Sequence, residues 1–300
     1  MDCRWNTAAA VFGVNTETFW FSGIGRPSAF PFRAAFGQSF DGRAHCTRSA
    51  AANIHSQNLI EEESKMKERD NIRFYDTSAL VETPGIRQHC RADYVRDALQ
   101  EKLPNEVFKV TSVSINETGS YAAKLHWLVK LLWNNGKVTG LPPYCEVMIE
   151  HCTGTEWENI IVWSPLAWND RFAGTAGGGT CTGGVSQITQ PNNGQRGWTL
   201  PFAVINGFTA ATCDAGNEKY GSNWAVDKSG KVVMERMENW RANATHSMTV
   251  FGKAVAEILH GRPVLYSYMN GGSGGGRQSM VEAQEFPEDY NGIWASCPAI

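Results

Sequence analysis

No apolar run in this 300-residue chain approaches the ~20 residues needed to span a membrane. Neither sign of charge predominates: 27 basic and 30 acidic residues leave a net charge of -3. That balance gives no electrostatic case for nucleic acid or an anionic membrane as partner. The eight cysteines include no paired C-x-x-C, so no zinc spacing is present and no metal site is expected. The start, Met1-Asp-Cys-Arg-Trp5, has no basic opening, long apolar stretch or small-residue cleavage site, so no signal peptide is read and the compartment stays open. No histidine follows His260. What the chain does have is 42% hydrophobic residues and 11 tryptophans, enough for a sizeable core.

The first ~65 residues mix alanine, glycine, serine and aromatics without a sustained period, and a charged run, Glu61 to Asp70, follows at helical spacing. From about Gln88 the pattern tightens. Ala92 to Leu103 has helical spacing and stops at Pro104, and Val107 to Ile115 is a β-branched strand. Tyr121 to Trp133 is apolar with helical spacing, while Cys145 to Glu150 and Asn159 to Ser164 read as strands. Trp168 to Thr180 reads as a glycine-rich loop and Gly207 to Cys213 as a buried strand. Ala242 to His260 is the best helix, with Gly261 and Pro263 as stop signals. A strand over Pro263 to Met269 then meets a helix over Arg277 to Phe286, and this alternation predicts an α/β fold with a mostly parallel sheet flanked by helices.

Between that last strand and helix lies Asn270-Gly-Gly-Ser-Gly-Gly-Gly-Arg-Gln-Ser279. A phosphate loop needs a lysine after its glycines, and none follows; the dinucleotide pattern fails because Ser279 stands where its third glycine belongs. A glycine-serine linker is rarely clamped between a strand and an amphipathic helix. Gly271-Gly-Ser273-Gly-Gly275 does match G-x-S-x-G, the turn that exposes a nucleophilic serine at the top of a sheet. A serine hydroxyl needs a base, and in α/β-hydrolase order the acid and histidine follow the serine. Asp289 is the only aspartate after Ser273, poorly placed just past the exit helix; His246 precedes the serine and reads as a packed or capping residue. Asp214 reads as a strand-end residue, with a minor site role left open by nearness to the glycine-rich loop, and Arg241 is uncommitted. With no room for them after Ser273, the catalytic Asp and His are expected to be absent from the chain.

Tyr266 to Ile293, with Trp168-Asn-Asp-Arg-Phe172, Gly207 to Gly216, Leu141-Pro-Pro-Tyr-Cys145 and the helix led by Cys90, closely resembles the tannase/feruloyl esterase family of α/β-hydrolases. The resemblance runs from about Cys90 to Ile300. It implies an N-terminal extension over 1–87 and, over 88–300, the N-terminal part of a hydrolase domain whose lid and C-terminal part lie beyond residue 300. It further implies hydrolysis of aromatic-acid esters, small molecules, with Ser273 as nucleophile. The Gly274 amide would be the first oxyanion donor and the loop Gly177, Gly178, Gly179 the second. The family's acid, histidine and lid calcium site would also lie beyond residue 300, so no cofactor is expected here and little or no turnover. By the same resemblance Cys90 pairs with Cys145. The position before the serine, a cysteine in most relatives, is Gly272. The alternative is a hydrolase-like protein that binds without catalysing.

Overall fold

The computed structural model describes residues 9–13, 75–122, 137–177, 199–217 and 223–299. Residues 1–14 and 73–300 form one unit; the other, 15–72, lies outside the described residues, as does the charged run from Glu61 to Asp70.

Alternation explains the sheet. In the strand Glu156–Pro165, Ile160 and Val162 enter one core while Ile161 and Trp163 enter another, as a period of two requires when both faces are covered. This strand is β6. The other main-sheet strands are β1 (Ala9–Gly13), β2 (Val107–Asn116), β5 (Tyr144–Thr153), β7 (Arg171–Thr175), β8 (Thr209–Cys213), β9 (Tyr266–Gly272) and β10 (Gly292–Ser296). A small separate ribbon pairs β3 (Ser120–Ala122) with β4 (Lys137–Thr139). Tyr121 therefore belongs to a strand rather than a helix, and the rest of that expected helix falls mostly on residues 123–136, outside the described ones.

Across the main sheet the order is β1-β10-β9-β7-β8-β6-β5-β2. Pairing is parallel between β10 and β9, β9 and β7, and β7 and β8. It is antiparallel where β2, β5 and β6 succeed one another, where β6 meets β8, and at the β1 edge. The sheet is thus mixed, with its parallel part in the region that carries the Ser273 turn.

Helices α1 (Ile86–His89), α2 (Ala92–Lys102), α5 (Ala244–His260) and α6 (Gly274–Glu285) cover one face, through a core that includes Ile86, Leu99, Phe251, Val255, Leu259 and Met269. Helix α3 (Leu200–Ile205) covers part of the other with Leu200 and Val204 against Trp163 and Phe208. Thr199 caps α3 by accepting from the Phe202 amide. The short α4 (Met234–Glu238) runs through a π-helical turn, Asn239–Asn243, into α5. Cys90 and Cys145 form a disulfide, the pairing that the resemblance implied.

Candidate active site

Because β7, β8, β9 and β10 are parallel, the residues that follow them gather at one edge of the sheet, where open α/β sheets place their ligands. Ser273 follows β9, Ala176 and Gly177 follow β7, Asp214 follows β8, and Cys297 follows β10. Ser273 sits at φ 57°, ψ −116°, a backbone region that few residues with a side chain adopt. Three backbone hydrogen bonds hold it there. Its amide donates to Ser296 O (2.9 Å), and its carbonyl accepts from the amides of Arg277 and Ala299 (3.0 Å each).

The glycines around it answer to crowding. A Cβ on Gly271 would collide with the backbone of Gly275, because the first turn of α6 folds directly back over the end of β9. A Cβ on Gly275 would come 2.7 Å from Gly177 O. The loop after β7 therefore lies against the first turn of α6, and the structure brings Gly177 to the serine turn. Gly178 and Gly179 lie outside the described residues. Gly274 opens α6, where a helix leaves its first amides without intrahelical partners.

Ser273 is partly exposed, and among the described residues its side chain makes no hydrogen bond. The described histidines are engaged elsewhere. His89 Nδ1 meets Leu259 O at 2.9 Å. His151 lies between Glu158 and Glu106, 2.9 Å from each. Burial opposes charge on His151, but the two carboxylates prevail and its pKa is raised. His260 contacts Thr83 and Ser164, each at 2.8 Å, and burial pulls its pKa down to about 3, so it stays neutral. His246 Nδ1 is 2.7 Å from Asp289 Oδ2 and stacks on Phe286. His45, His55 and His126 lie outside the described residues.

The His246–Asp289 pair has the composition of a catalytic dyad, but it stands at the other end of α6 from Ser273. Twelve helical residues separate the two ends by about 18 Å. No sequence spacing signalled this pair, since its members stand 43 positions apart. Asp214 closes a turn, accepting from the amide and side chain of Asn159 (2.7 Å each) and from the Gly216 amide (2.8 Å). Arg241 pairs with Glu238 at 2.9 Å and with Glu285. Arg277, one turn into α6, stacks 3.8 Å over Trp240 and donates to the carbonyls of Trp240 and Arg241. A groove of about 230 Å³ lies between Tyr75, Tyr268, Asn270 and Trp294; Ser273 is not among its lining residues.

No group of three or more His, Cys, Asp or Glu suited to a metal ion occurs among the described residues. Among the same residues no helix is long and apolar enough to cross a membrane.

Residues 145–300, just over half of the chain, match the family model described as "Tannase and feruloyl esterase". The chain belongs to that family. Within it, a probable feruloyl esterase of Arthroderma benhamiae is 36% identical over 159 residues, 51% of this chain and 28% of that protein. A mono(2-hydroxyethyl) terephthalate hydrolase of Piscinibacter sakaiensis is 32% identical over 168 residues, 53% of this chain and 27% of that protein. The chain thus spans little more than a quarter of the length of these curated relatives. A solved tannin acyl hydrolase from Aspergillus niger superposes with a TM-score of 0.51 at 19% identity, over 71% of this chain and 37% of that one. That similarity establishes the α/β-hydrolase fold for this tannase-family chain.

Proposed function

We propose that this tannase-family chain supplies the nucleophile of a carboxylic ester hydrolase acting on esters of aromatic acids. The observation that carries the reading is the backbone of Ser273, held at positive φ between β9 and α6 at the edge where the parallel strands end. In this reading Ser273 Oγ attacks the ester carbonyl and its proton passes to a base. The oxyanion is held by the Gly274 amide and by an amide of the loop Gly177, Gly178, Gly179. Its collapse breaks the bond to the alcohol, which leaves with the proton from the base. Water then attacks the acyl-serine to release the acid and restore the hydroxyl. Losing one such donor typically costs about 3 kcal/mol of transition-state stabilisation. The names of the relatives, feruloyl esterase and mono(2-hydroxyethyl) terephthalate hydrolase, support an aromatic acyl group.

No described residue supplies the base, so the chain by itself is expected to turn over little. Chemical rescue tests the assignment. The purified protein is incubated with methyl ferulate, methyl gallate or p-nitrophenyl acetate, with and without added imidazole. Imidazole-dependent hydrolysis above the protein-free rate, lost in Ser273→Ala, is expected. Equal rescue of both proteins would overturn Ser273 as nucleophile. Turnover without imidazole that vanishes in Ser273→Ala would show that the chain carries its own base.

A second reading, a hydrolase-like protein that binds esters without cleaving them, is favoured by the engagement of every described histidine with a group other than Ser273. Saturable binding of methyl ferulate with no rescue at any imidazole concentration would select it.

A further inference from the structure

Glu282 lies on the buried face of α6 with no exposed surface; neither of its carboxyl oxygens meets a donor, and the acid that lies within hydrogen-bonding reach is another carboxyl, Asp289. A carboxylate cannot be kept so as a bare anion; it takes a proton or acquires a counter-ion. Its neighbours decide which. From α5 come Lys253, whose Nζ donates to the Asp289 carbonyl and lies 5.5 Å from the Tyr290 ring centre, and His246, bound to the Asp289 carboxylate. Glu257, also on α5, adds its charge near Lys253 but pairs with Lys102 at 2.7 Å.

From the segment after α6 come Asp289 and Tyr290, the latter buried and hydrogen-bonded to Thr249. From β8 comes the buried Cys213. Glu285, on α6 itself, is engaged by Arg241. Two interior carboxyls, Glu282 and Asp289, therefore share one ammonium, and its hydrogen bond goes to the Asp289 segment. Burial, reinforced by the charge of Asp289, pushes Glu282 up to about 9, and burial pulls Lys253 down.

We propose that Glu282 is a proton-operated latch that holds α6, and with it the turn at Ser273, against α5 only while its carboxyl is protonated. When the proton leaves to solvent, an anion without a donor remains inside. It is relieved when the last turn of α6 and residues 286–290 part from α5 and admit water. The latch stands whether or not Ser273 attacks an ester.

Urea unfolding of the wild type, Glu282→Gln and Asp289→Asn between pH 6 and 10 tests it. Because the folded-state value is raised, stability is lost as pH climbs from the ordinary carboxylate range to about 9. The unfolding constant of the wild type relative to Glu282→Gln should rise tenfold per pH unit from 6 to 8 and level off above about 9. Asp289→Asn removes the repelling charge and should move the levelling point to lower pH. At pH 9.5, amides of 274–285 should exchange faster in the wild type than in Glu282→Gln at the same pH. A flat ratio, or excess exchange spread evenly over β5, β6 and β8, would overturn the latch. If Glu282→Gln does not fold, an unmoved levelling point in Asp289→Asn overturns it equally.

Discussion

Ser273 occupies a backbone region that costs a residue bearing a side chain about 1–3 kcal/mol, and its hydroxyl, unbonded among the described residues, offsets none of it. The three backbone hydrogen bonds to Ser296, Arg277 and Ala299 hold it in place. Glycine at this position would keep those bonds without the strain. Ser273→Gly is therefore expected to raise stability by about 1 kcal/mol in urea unfolding while abolishing imidazole rescue. An unchanged or lowered stability would mean that the turn is not strained. At this scale the site was half legible in the sequence. Gly271 and Gly275 announce themselves because backbone packs on backbone there, and only glycine tolerates that. The meeting of His246 with Asp289, and of Glu282 with Lys253, depends on how α5 and α6 pack, which no local pattern encodes.

Among elements, those with a marked period were readable: α2, β2, β5, β6 and α5 fall within a few residues of where their apolar spacing put them. Those that escaped have physical reasons. β7 lies inside the glycine-rich stretch read as a loop; it is nearly all buried, and Gly174 has no room for a side chain beside the Tyr290 hydroxyl. A short strand whose last four residues are all buried shows no alternation. β10 has few β-branched residues, and its pairing with β9 is a long-range matter. α3 has six residues, too few to display a helical period. The disulfide links two elements, since Cys90 caps the end of α1 and Cys145 lies in β5, 55 residues on. Closing a loop of that length is worth about 4 kcal/mol at most by chain entropy. Replacing both cysteines by serine should cost about 2–4 kcal/mol in urea unfolding, and excess reductant should reproduce the loss in the wild type.

The molecule as a whole is built on a mixed sheet whose parallel centre carries the Ser273 turn and whose antiparallel arm carries a second buried acid cluster. His151 in that arm has a raised pKa, while burial pushes up Glu158 beside it, so the two compete to keep a proton. A raised histidine stabilises fully below its ordinary value of 6.5 and loses that contribution as pH rises through the folded-state value. In a Glu282→Gln protein, where the other cluster is silent, unfolding free energy should still fall as pH is raised from 6. Glu106→Gln, which removes one of the supporting carboxylates, should bring that fall to lower pH. A urea series over pH 5.5–9 that gave identical profiles would exclude His151 as its source. The bonds to the serine turn also set a schedule. Its amide waits for residue 296 and its carbonyl for residue 299, both made after it. At ribosomal rates of about 5–20 residues per second, the last of these arrives roughly 1–5 s after Ser273 has been joined. Over that interval two of the three bonds that hold the turn have no partner. In each newly made copy the serine therefore exists before the backbone that fixes its turn.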